Sequence, residues 1–140
     1  MGFEPDSKIE RIAEAYALDA VDLAQKRFGV MLDWNDSSIQ EVETILKRLH
    51  ETISRAKPSE EQVLQFAKIF GSYVGEVFRR NHGARWGMVS LGSDRFPGMQ
   101  TERTRAEFWP SGRTQKRLTR GPEDNVWHYF QSLNAEDGQS

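Results

Sequence analysis

From residue 76 to residue 86 the chain reads Glu-Val-Phe-Arg-Arg-Asn-His-Gly-Ala-Arg-Trp, a dense run of groups able to hold charge or exchange protons. Glu76 and Arg80 stand four apart, the favourable orientation for an ion pair on a helix surface, worth ~0.3–0.5 kcal/mol. A surface pair is therefore the expected role, with a catalytic carboxylate as the alternative. Arg79, Arg80 and His82 fall where a helix C-terminus favours cations. Just upstream, Gly71 and Gly75 of GSYVG lie inside a helical pattern. Their amides are engaged in that helix and cannot cradle a phosphate, so the pair reads as a packing feature. His50-Glu51 opens a zinc-binding H-E-x-x-H helix, but Ser54 stands where the second histidine is needed. The three histidines are scattered, there is no cysteine, and no serine sits in a nucleophile-elbow context, so neither a triad nor a thiolate site assembles. No catalytic residue, metal site or cofactor is expected.

Charge points outward instead. Residues 79 to 120 hold ten basic side chains (Arg79, Arg80, Arg85, Arg95, Arg103, Arg105, Arg113, Lys116, Arg117, Arg120) against three acids, a local charge of +7 in a chain whose net charge is −2. The remainder is correspondingly acidic. Nine of the ten are arginine, which suits carboxylate and phosphate forks. Arg103, Arg105, Arg113, Lys116 and Arg117 are the candidate partner-binding residues on a basic sheet region. The solvated alternative is that these arginines pair with acids of the N-terminal helices.

The elements that must position these groups follow from periodicity. A length of 140 residues fits one domain with its own core. Ile9, Ile12, Ala13, Tyr16, Ala20, Leu23, Ala24 and Phe28 make one stripe of a helix over 8–28 that Gly29 stops. Ser37 or Ser38 with Gln40 or Glu41 can form a capping box for a second helix, which Lys57-Pro58 ends. Ser59 with Glu60, Glu61 and Gln62 repeats the signature and opens a third helix to about Asn81, with Gly83 as its left-handed cap. Its apolar residues cover well over half the circumference, so it is expected to be central and packed on several sides. Each glycine in it costs ~1 kcal/mol relative to alanine, which a close backbone neighbour would offset.

Beyond Gly83 the pattern changes to strand-like runs at Arg85–Leu91, Met99–Trp109 and Arg113–Thr119, separated by GSDRFPG and PSG. These predict a three-stranded antiparallel meander, with Trp86 anchoring the first strand on the third helix. Phe108 and Trp109 have opposite parity, so a bulge or a strand end falls between them. Gly121-Pro122 then opens a last helix with Val126, Phe130 and Leu133 inward. Gly71, Gly75, Glu76, Arg80, Gly83 and Trp86 thus form a structural corner where helix gives way to sheet. The fold class is α+β, with three N-terminal helices, a small antiparallel sheet and a closing helix in one domain over 1–140, frayed at 1–7 and 134–140.

LDWNDSS, GSYVGEVFRRNHGARW and WPSGRTQKRLTRGPEDNVWHYF together resemble a family of small uncharacterised bacterial proteins with the running pattern G-x-Y-x-G-E-x-x-x-R, G-A-x-W and P-x-x-x-x-x-K-R-x-x-x-G. The resemblance spans roughly residues 9 to 133. It implies a shared fold and carries no activity to any residue.

The N-terminus lacks both the basic region and the apolar region of a secretory signal, and no apolar run approaches the ~20 residues of a membrane span. Gly2 does not make a myristoylation site, because Asp6 stands where Ser or Thr is required. A cytoplasmic location away from membranes is the expectation. The expected function is a non-catalytic interaction protein that binds a protein partner. Alternatives are an immunity-like protein that neutralises a toxin, a nucleic-acid-binding module, and an enzyme with an unrecognised site. Against nucleic acid stand a pI of ≈ 5.9 and the lack of aromatics interleaved with the basic residues.

Overall fold

The computed structural model describes residues 2–138, in the order β1 (Gly2–Pro5), α1 (Ser7–Phe28), α2 (Ser38–Ala56), α3 (Glu60–His82), β2 (Ala84–Leu91), β3 (Asp94–Thr101), β4 (Glu107–Phe108), α4 (Pro110–Thr119), a 3₁₀ turn (Pro122–Asp124) and α5 (Val126–Gly138). The fold is α+β, with an antiparallel sheet in the order β1-β2-β3-β4.

The three long helices form where periodicity and caps place them. Asp6 caps α1 by accepting from the Lys8 and Ile9 amides, and Gly29 ends it at φ 66°. Ser59 and Gln62 make both bonds of the capping box on α3. The box expected on α2 is absent. Ser37 makes no side-chain cap, and the Ser38 hydroxyl instead donates to the Asn35 carbonyl and bonds the Tyr73 hydroxyl, so the serine serves the core. Gly83 ends α3 at a positive φ of 86°, with ψ 114° outside the left-handed helical well.

Helix α3 is the axle of the molecule. Every residue from Phe70 to Phe78 is buried. Ala13, Ala17, Ala20 and Ala24 bring α1 close against it, and α2 adds Ile39, Val42, Ile45, Leu46 and Leu49 to the core. A Cβ on Gly71 would lie 2.5 Å from the Ser111 Cα, and one on Gly75 would lie 2.5 Å from Trp86 Cζ2 and 2.8 Å from Met99 Sδ. The glycines therefore admit α4 at one level and the sheet at the next, which supplies the close approach the sequence demanded. Phe78 continues this contact edge-on to Phe108 and Phe130, at 5.2 and 5.8 Å between ring centres.

The second half departs from the predicted meander in three places. First, Gly2–Pro5, expected to fray, pairs with β2 from Gly2↔Ser90 to Pro5↔Gly87. Four residues carry too little periodicity to announce a strand, and β2 supplies the edge that makes one. Second, GSDRFPG is not a broad turn: Gly92-Ser93 turn alone, and Asp94 to Gly98 belong to β3. Pro97 is tolerated because β4 reaches only Met99 and Gln100, which leaves β3 open on that side. Third, Arg113–Thr119 is helix, not strand. Pro110 begins α4, a position that suits its missing N–H, and Trp109 at the N-cap makes no side-chain cap. The buried positions of α4 are Pro110, Thr114, Arg117 and Leu118, a helical spacing disguised by a threonine and an arginine. The strand ends between Phe108 and Trp109, and the chain takes the 3₁₀ turn at Pro122 before α5 begins.

Candidate functional site

Two clusters bring polar groups together, and they differ in how far those groups are satisfied. The first is the corner. Glu76 is fully buried, not on the surface as the sequence suggested. Its Oε2 accepts from Arg79 Nε at 2.6 Å and Trp86 Nε1 at 2.8 Å. Its Oε1 accepts from Arg79 Nη2 at 2.9 Å and pairs with Arg80 Nε at 3.4 Å. Burial, the largest single influence, pushes its pKa up, but the Arg79 and Trp86 hydrogen bonds and the two guanidinium charges together hold it below the ordinary carboxylate value. Arg79 reaches on to Glu10 and Glu14 of α1, and the same bonds raise its own pKa. Arg80 lies 3.8 Å from the centre of the Trp34 ring, and Trp34 in turn packs on Tyr73. Asn81 and His82 tie Asp36 to the end of α3, with His82 Nε2 2.7 Å from the carboxylate. A carboxylate with both oxygens occupied by three donor side chains has no lone pair free for proton abstraction. The corner fastens α1, the 29–37 loop and β2 to α3.

The basic residues do not form one face of the sheet. Arg117 is buried on α4, with Nε 2.9 Å from a Glu43 oxygen, which pins α4 to α2. Arg113 pairs with Asp124 at 3.0 Å and covers the Tyr129 ring at 4.7 Å. Lys116 is exposed on the same helix. Arg103 and Arg105 are exposed in the turn between β3 and β4, and Arg105, at φ 60°, shares a cleft of about 260 Å³ with Arg85. The two arginines tied to acids realise the internal-pairing alternative.

The second cluster lines a groove of about 1090 Å³ bounded by α1, α3, α4, the β2–β3 hairpin and the start of α5. Ile9, Ile12 and Tyr16 form the α1 wall, and Leu64, Lys68 and Ser72 form the α3 wall. Leu91, Phe96 and Pro97 close the hairpin side. Ile12 is 47% exposed, Phe96 42% and Leu91 37%. These large apolar surfaces converge on one concavity, the arrangement that marks an interaction site. Lys68 and Lys116 stand on its rim without an ion-pair partner among the described residues. Glu107 Oε2 and Trp109 Nε1, on residues of the same wall, are buried with no hydrogen-bond partner. Tyr129, also in the lining, has its hydroxyl pKa pushed up to about 12 by burial, against the opposing pull of the Arg113 charge and the Trp109 backbone.

Sequence reasoning placed the corner residues together and missed the groove. Ile12 and Leu64 were assigned to inward stripes, and Phe96 to a turn. The available signal was the width of the apolar arc on α3, greater than its neighbours cover. Among the described residues, no group of three or more His, Cys, Asp or Glu could hold a metal ion, and no helix is long and apolar enough to cross a membrane. No protein-family model, curated protein or solved structure matches this chain.

Proposed function

We propose that this chain is a non-catalytic, cytoplasmic interaction protein of the small bacterial family whose pattern it resembles, and that its groove takes an amphipathic helix of a protein partner. The observation that carries this reading is the convergence of exposed Ile12, Leu91 and Phe96 on one concavity rimmed by unpaired Lys68 and Lys116. The α1 and α3 walls each run about two helical turns, on the order of 10–12 Å, which matches the anchor spacing of a docked helix. An added strand fits less well, because Pro97 removes a donor from the open edge of β3. The volume lies at the upper end of the ~300–1,000 Å³ typical of small-molecule sites, and the groove is open along its length. Charge complementarity to the two lysines calls for Asp or Glu beside the partner's apolar stripe.

Photo-cross-linking tests this. A benzophenone side chain at Phe96 should join a protein in extracts of the source cells, through a segment with helical apolar spacing and flanking acids, whereas the same group at exposed Leu18 should not. Synthesised alone, that segment should bind the protein and lose affinity when Lys68 and Lys116 are both changed to Glu. Adducts confined to lipid or nucleic acid, or equal labelling from Leu18, would overturn the proposal.

A further inference from the structure

The unpaired polar atoms in the groove wall make opposite demands. Glu107 Oε2, on a carboxylate, can only accept, and Trp109 Nε1 can only donate. Buried polar atoms without partners are rare in folded proteins, and here two belong to one wall. Residues 107 and 109 alternate along extended backbone, with Trp109 at φ −128° and ψ 86°, so their side chains leave the same side with Cα atoms ~6.5–7 Å apart. Packing holds the indole in place. A Cβ on Gly98 would lie 3.0 Å from Trp109 Cδ1, the carbon bonded to Nε1, so the absence of a side chain there lets the pyrrole edge rest on β3.

Resting on the helix-binding reading of the groove, we propose that Glu107 and Trp109 select a primary carboxamide, an Asn or Gln side chain on the docked helix. The amide NH₂ donates to Glu107 Oε2, and the amide oxygen accepts from Trp109 Nε1. A carboxylate would serve Trp109 and be repelled by Glu107; an ammonium would serve Glu107 and leave Trp109 unpaired. Main-chain amides within a helix are already engaged with one another. A hydroxyl must satisfy both partners from a single atom, whereas a carboxamide divides donor and acceptor between two. Specificity of this type comes from polar groups that a wrong occupant would leave unpaired.

The test is selection from a display library of helical peptides of about four turns, randomised on one face. Peptides bound by the wild-type protein should carry Asn or Gln at one position within the apolar stripe. Replacing that residue by Met should weaken binding about 10-fold or more, the effect of leaving buried partners unpaired. Against Trp109→Phe combined with Glu107→Leu the preference should invert to the apolar residue, while Trp109→Phe alone keeps the shape of the wall and should remove most of the discrimination. Melting curves establish that each variant is folded. Groove-binding peptides with no amide preference, or with the same preference for the double variant, would refute this inference and leave the helix-binding reading intact. Failure to select any peptide, or selection of peptides indifferent to Lys68→Glu with Lys116→Glu, would instead defeat the helix-binding reading itself.

Discussion

The corner at Glu76 and the groove at Glu107 each place a carboxylate and a tryptophan indole together, and the two pairs end differently. In the corner, Trp86 Nε1 bonds Glu76 and two arginines complete the carboxylate. In the groove, the Glu107 and Trp109 atoms have no such partners. The first arrangement closes on itself and serves the fold. The second leaves hydrogen-bonding capacity at a surface that also exposes apolar side chains, and this contrast, more than total charge, separates a structural cluster from a binding one.

If the contrast is real, stability should respond strongly to the corner and weakly to the groove. Glu76→Ala should have the largest effect, lowering unfolding free energy by about 3–5 kcal/mol, because Arg79 and the Trp86 indole lose their buried partner. Urea denaturation measures it, and a loss under about 1 kcal/mol would reduce the corner to an ordinary surface pair. Gly75→Leu comes next. The added atoms meet Trp86 and Met99, and overpacking of this type costs about 1–3 kcal/mol or more, beyond what helix propensity returns. An unchanged or raised melting temperature would show that α3 and the sheet do not meet there.

Acid titration sharpens the same side of the comparison. Because the Glu76 pKa is lowered in the folded state, its contribution stands in full above the unfolded value, about 4.3, and is lost as pH falls through the folded value. Melting temperature recorded between about pH 6 and pH 2 should therefore fall at the acid end, and Glu76→Gln, already less stable, should show a flatter acid limb. Parallel curves would mean that other carboxylates govern acid unfolding. The smallest effect belongs to the groove. Trp109→Phe, Ile12→Ser and Phe96→Ser should each stay within roughly 0.5–1 kcal/mol of wild type, with Trp109→Phe neutral or slightly stabilising because it removes an unpaired donor. A large loss at Trp109 would make the groove wall part of the core and erase the distinction.

The legible parts of the molecule were those whose cause is local. Helices α1 and α3 could be placed from the Gly29 stop, the Ser59–Gln62 box and uninterrupted apolar spacing, and the glycines at 71 and 75 announced a close neighbour. The groove was not legible. Ile12 belongs to the same stripe as buried Ala13 and Ala17, and nothing in the spacing tells which members of a stripe the next element leaves uncovered. Arg117 was counted as surface charge because an arginine reads as exposed until an acid 74 positions away is brought beside it.

The sequence by itself determined the α+β class, the three long helices and their caps, and the need for close packing at Gly71 and Gly75. Each follows from interactions within a few residues, or from a steric demand one residue type can express. Tertiary structure alone decided that Gly2–Pro5 is a strand, that Arg113–Thr119 is a helix, that Glu76 is buried, and that Glu107 and Trp109 share a wall. Strand pairing, burial of a charge and the shape of a concavity depend on which distant segments meet, and local periodicity carries no record of those encounters.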